Sequence, residues 1–139
     1  MLSLFGLAVL VAVGTYLAQS GTYLTAEIPF AFNADTAHFD AGSYLVNAYS
    51  TNRAMLEVKN RDGSGAAFVL ASEFESNANS SRKSRLIFNK YGDQYFLSHV
   101  WMEDGTLGCK LTPSKKEKEV LKTVEANRLA REVVQIAAR

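Results

Sequence analysis

Three patterns of apolar and polar positions follow one another along the chain. Met1 to Ala18 (MLSLFGLAVLVAVGTYLA) is dominated by apolar residues and carries no charge. From Tyr23 to Leu111 apolar and polar residues alternate in short runs separated by turn residues, the period-2 signature of half-buried strands. From Pro113 onward, charged and apolar residues interleave at helical spacing. The chain therefore divides into an apolar segment 1–18, a β domain 19–113 and a helical tail 114–139.

Seven segments of the middle region read as strands: Tyr23 to Phe32, Ser43 to Tyr49, Ala54 to Asn60, Ala66 to Ala71, Ser84 to Lys90, Gln94 to Met102 and Gly108 to Leu111. Pro29 lacks a backbone N–H, so it places the first segment at an edge or a bulge. Asp62-Gly63 supplies the positive φ of a tight hairpin, and the short Tyr91-Gly92-Asp93 spacing between two strands gives a second hairpin. The expected fold is mainly β, an antiparallel meander forming a sandwich or small barrel, flanked by an N-terminal apolar helix and a C-terminal α-helix.

Ser114-Lys115-Lys116-Glu117 is a capping-box pattern, in which the hydroxyl and the carboxylate each satisfy a free amide of the first turn. A helix from Lys115 to Ala138 is predicted. Its apolar residues do not share one stripe: Val120, Leu121 and Val124 centre on one side, and Leu129, Val133, Ile136 and Ala137 nearly opposite. Either the helix breaks near Ala126-Asn127, or its first half packs on the β domain and its second half faces a partner. The second reading makes Leu129, Val133, Ile136 and Ala137 a partner interface.

The first segment meets a membrane on either of two readings. Leu2, Leu4, Phe5, Leu7, Val9, Leu10, Val11 and Val13 supply the apolar surface. As a helix, Leu2 to Leu17 would rise about 24 Å, a little short of a bilayer core of about 30 Å. A retained anchor therefore needs a thinned bilayer or help from flanking residues. A cleaved signal would end near Ala18-Gln19-Ser20, although Tyr16 stands where a small residue is wanted and no Lys or Arg precedes the apolar run. Both readings imply export: anchored in the inner membrane facing the periplasm, or periplasmic or secreted after cleavage.

Three stretches, Ala26 to Phe32 (AEIPFAF), Phe39 to Val46 (FDAGSYLV) and Tyr91 to Ser98 (YGDQYFLS) running on to Trp101, resemble a large family of small exported bacterial proteins with no assigned activity. The resemblance spans most of residues 22–120. It implies export and a β domain, and it transfers no site residue.

Composition removes several function classes. The formal charge is +1 from 15 basic and 14 acidic residues, so no net field draws nucleic acid to the 139-residue chain. Cys109 is the single cysteine, which rules out an intramolecular disulfide or a zinc cluster and reads as a packing residue. His38 and His99 have no metal-ligand spacing, and no cofactor is implied. His99 alternates with Tyr95, Leu97 and Trp101 and reads as a strand residue beside aromatics. Asp93, Glu103 and Asp104 fall in turns, and no nucleophile elbow or phosphate loop is present. Phe68, Phe88, Tyr95, Phe96 and Trp101 read as core rather than the lining of a lipocalin-like cavity. Lys115, Lys116 and Lys118, interleaved with Glu117 and Glu119, read as a solvated helical face.

The expected function is therefore a non-catalytic accessory subunit of an extracytoplasmic or membrane-bound assembly. Its partners would be other protein subunits, as in a respiratory or photosynthetic complex, or copies of itself, with lipid at the N-terminus and no nucleic acid. The alternatives are a soluble exported β-barrel module for a small apolar ligand and a subunit of an extracellular filament.

Overall fold

The structure, a computed structural model, describes residues 22–48, 55–77, 83–103, 105–127 and 131–139. The apolar segment 1–18 lies outside the described residues, as do Leu129 and Asp104. Among the described residues no helix is long and apolar enough to cross a membrane.

Among the described residues the fold is mainly β, with one helix near the C-terminus. The strands are β1 (Thr22–Ile28), β2 (Phe32–Ala34), β3 (Ala37–Phe39), β4 (Gly42–Ala48), β5 (Met55–Asn60), β6 (Ala66–Ser76), β7 (Arg85–Tyr91), β8 (Gln94–Met102), β9 (Leu107–Leu111) and β10 (Arg131–Ala137), with helix α1 (Lys115–Ala126) between the last two. Alternation sets the inner face: Leu24, Ala26 and Ile28 of β1, Tyr44, Val46 and Ala48 of β4, and Leu56 and Val58 of β5 are all buried. Both predicted hairpins form, with Gly63 at φ 82° and Gly92 at φ 63°. At the first, the Asp62 carboxylate accepts from the Ser64 N–H at 2.7 Å.

The antiparallel meander is corrected to an open, mixed sheet. Strands run β1-β4-β5-β6-β9-β8, with β7 on β8 and β10 on β7, all antiparallel, whereas β2 lies parallel to β8 at Asn33 and Phe96. Pro29 is the reason the first predicted strand divides. With no N–H to donate, it ends the β1 ladder, and the chain turns away before resuming as β2 and its hairpin mate β3. The eleven-residue β6 pairs with β5 through its first half and with β9 through its second, across an irregularity between Ala71 and Glu73. It joins two halves whose inner faces enclose one core, a sandwich-like arrangement. Two backbone bonds bridge the remaining gap: the Thr25 N–H donates to Arg139 O at 2.7 Å and the Arg139 N–H to Thr25 O at 2.9 Å. This covers part of the exposed edge of β1.

The C-terminal helix is much shorter than predicted. Ser114 caps it as expected, its Oγ accepting from the Glu117 N–H at 3.1 Å, but it ends at Ala126 with Asn127 as C-cap. Residues 131–137 then form β10, paired with β7 along its whole length. Arg-Glu-Val-Val-Gln-Ile-Ala has a period of two: Val134 and Ile136 pack against the core while Val133, Gln135 and Ala137 face outward. The two apolar groups that clash on a helical wheel are thus a helix stripe followed by a strand. The proposed interface of Val133, Ile136 and Ala137 is not one face, because Ile136 turns inward.

The core is filled by aromatic side chains. Phe88 meets Phe30 edge-on at a centroid distance of 5.0 Å and Phe32 at 5.4 Å, Phe32 meets Tyr44 at 5.0 Å, and Tyr95 stacks on Phe30 at 3.8 Å. Cys109 is fully buried in the same core. A second small cluster, Tyr91, Phe96 and Val124 with Val120 and Leu121, lies under α1. Of the aromatics expected in the core, Phe68 is the exception, facing outward from β6.

Candidate functional site

Two outward surfaces are built by this arrangement. The first is a groove of about 630 Å³ between α1 and the outer face of β10, β7, β8 and β9. Alternation puts Ile87, Asn89 and Tyr91 of β7 along its floor, and the ladder register sets Val133 beside Asn89 and Arg131 beside Tyr91. On the other side Ile87 pairs with His99, and His99 with Lys110. Helix α1 contributes Glu117, Lys118 and Leu121 as the opposite wall.

Glu117 fixes the helix to the sheet. Its side chain is buried, and Oε1 accepts from Tyr91 Oη and Asn89 Nδ2, each at 3.2 Å. The cap sequence identified Glu117 as a first-turn residue; that its carboxylate reaches β7 depends on where the sheet lies. Burial raises the Tyr91 phenol above its ordinary pKa and the neighbouring Glu117 charge raises it further, opposed by the charge and hydrogen bond of Arg131. Tyr91 therefore stays a neutral donor to Glu117 throughout the physiological range.

A bulge positions His99. Ile87 pairs with His99 and Phe88 with Leu97, so Ser98 is the extra residue on β8. This corrects the expected alternation: Leu97 faces the core, whereas His99 lies in the groove. The Ser98 hydroxyl donates to Ile87 O at 3.0 Å, and Ser98 Oγ lies 3.0 Å from His99 Nδ1. The Ser98 hydroxyl thus ties the His99 ring to the β7 backbone. Burial lowers the His99 pKa below its ordinary value, opposed by Glu75, reinforced by Lys110 and opposed again by Glu73.

That shift gives a pH dependence. The unfolded chain takes up a proton on His99 near pH 6.5, whereas the folded chain does so only at lower pH, so folding stability falls as the pH drops below about 6.5. His99→Gln should flatten this part of the curve, as read from urea melts at pH 7.5 and pH 5.5. An unchanged pH slope would remove His99 as its source.

Elsewhere, buried Asn33 donates through Nδ2 to Tyr95 O at 3.2 Å, and its Oδ1 accepts from His38 Nδ1 at 3.0 Å and from Lys116 Nζ at 3.4 Å. His38 is thus a hydrogen-bonded residue of the β2–β3 hairpin. Among the described residues no group of three or more His, Cys, Asp or Glu side chains is placed to hold a metal ion.

The second surface is the outer face of β5 and β6. Met55 pairs with Leu70 and Glu57 with Phe68, which sets three large apolar side chains together with exposures of 42 %, 61 % and 56 % for Met55, Leu70 and Phe68. Phe68, expected in the core, faces outward here together with Leu70. The signal was present in Ala66-Ala67-Phe68-Val69-Leu70, which is apolar at both parities, so both faces of β6 carry apolar side chains. No protein-family model, curated protein or solved structure matches the chain.

Proposed function

We propose that this chain is a non-catalytic accessory subunit of an extracytoplasmic or membrane-bound assembly, held by its apolar 1–18 segment and docking through the outer face of β5 and β6. One observation carries the reading: Met55, Phe68 and Leu70 expose large apolar surface side by side on a regular sheet, as interface residues do before a partner covers them. The docking surface moves here from the C-terminus, where Val133 and Ile136 point to opposite faces. The aromatic core supports the same reading over an apolar ligand held between the two halves of the sheet, because Phe32, Phe88 and Tyr44 occupy that space. The β domain would act as a rigid spacer, with no turnover of its own.

The test compares native protein, extracted from its own membranes in mild detergent, with a Leu70→Lys variant. Wild type should co-elute with partner subunits. The variant should elute free of them with an unchanged melting temperature, its affinity weakened at least tenfold, or by about 1.4 kcal/mol. A wild-type chain that already elutes alone, or a variant that keeps its partners, would overturn the proposal.

A further inference from the structure

The groove beneath α1 has a chemistry that the docking role leaves unused. We propose that it binds a small amphiphilic anion, a carboxylate on an unbranched apolar body, with the apolar part against Ile87, Leu121 and Val133 and the carboxylate between Lys118 and Arg131.

Size, walls and charge each support this assignment. A volume of about 630 Å³ lies within the range of small-molecule sites, about 300–1,000 Å³. The apolar walls come from three separate elements, β7, α1 and β10, so the groove exists only in the folded chain. Val133 stands in it exposed, a β-branched side chain that an apolar ligand would cover.

The charges select an anion. Three basic side chains, Lys110, Lys118 and Arg131, line the groove against one carboxylate, Glu117. Lys110 pairs with Glu73 at 3.8 Å, and Glu117 is buried with Oε1 already accepting two hydrogen bonds. Lys118 is exposed, and Arg131, exposed as well, spends one guanidinium N–H on the Tyr91 hydroxyl and keeps the other donors of its fork, so the two meet a ligand's charge from the α1 and β10 sides.

The experiment is a titration of the ¹⁵N-labelled full chain with decanoate below its micellar concentration, followed by amide shifts, alongside decanol, decyltrimethylammonium and acetate. Saturable decanoate binding is expected, with the shifts centred on Ile87, Leu121 and Val133. Decanol, decyltrimethylammonium and acetate should each bind at least tenfold more weakly. Lys118→Gln combined with Arg131→Gln should weaken decanoate at least tenfold, and since Lys118 is exposed and a glutamine at 131 still offers an N–H to the Tyr91 hydroxyl, the variant should keep the wild-type amide spectrum elsewhere. Equal binding of decanol or of the cation, no saturation with decanoate, or full affinity in the double variant would each overturn the proposal. None of these results depends on partner docking at β5 and β6, which the Leu70→Lys comparison tests separately.

Discussion

Phe88→Ala is expected to destabilise the fold by about 3–5 kcal/mol, the range for truncating a fully buried aromatic. Phe88 is entirely shielded from solvent, and its ring contacts Phe30 and Phe32 edge-on at 5.0 Å and 5.4 Å. It also sits on β7, which is flanked by β8 and β10, so a cavity there loosens the ladders on both sides. A domain of this size has a total stability of about 5–15 kcal/mol, so the variant should be partly unfolded or close to it at room temperature. Urea denaturation followed by circular dichroism measures the change. A loss below about 1 kcal/mol would mean that Phe88 is not packed as described.

The second large effect is expected at Gly108. Trp101 lies across from it on β8, and a Cβ built on Gly108 would come within 2.8 Å of two Trp101 ring carbons. On its other side Trp101 pairs with Arg85, whose guanidinium carbon lies 4.9 Å from the ring centroid. The indole is thus laid flat over the glycine, with its other neighbour also in contact. Gly108→Ala should cost about 1–3 kcal/mol, as overpacking does, and should change the tryptophan emission. Combining it with Trp101→Leu isolates the cause: the alanine should then add little beyond the cost of losing the indole. An alanine penalty of full size in the Trp101→Leu background would place the strain elsewhere.

Both sites show what the sequence made legible and what it did not. Turns written in local chemistry were readable: Asp62-Gly63 and Gly92 each bring a positive φ that the hairpin requires, and Ser114 brings the oxygen that caps α1. Features decided by distant residues were not. The bulge at Ser98 reverses the facing of His99 relative to Leu97, and nothing next to Ser98 in the chain announces it. The cross-strand pairing of Trp101 with Gly108 requires the β8–β9 register.

The C-terminus departs from expectation for a different reason. Lys115 to Ala126 is strongly helical and carries the expected helix past Asn127, into a segment whose Val133, Val134 and Ile136 are β-branched and favour a strand. The mismatch between the two apolar stripes was the physical sign that the period had changed. The groove could not be anticipated at all, since its walls are brought together from residues 87 to 133 by the return of β10 to β7. The exposed β6 face departs from the rule that strand aromatics point inward, because Phe68 points out.

The central claim, that the outer face of β5 and β6 is where a partner sits, is tested most directly by photo-crosslinking in the native membrane. A photoreactive phenylalanine analogue placed at Leu70 should form a covalent adduct with another subunit, identified by mass spectrometry, while the same probe at Gln135 on the outer face of β10 should not. Adducts from Gln135 with none from Leu70 would contradict the account and return the interface to the C-terminus.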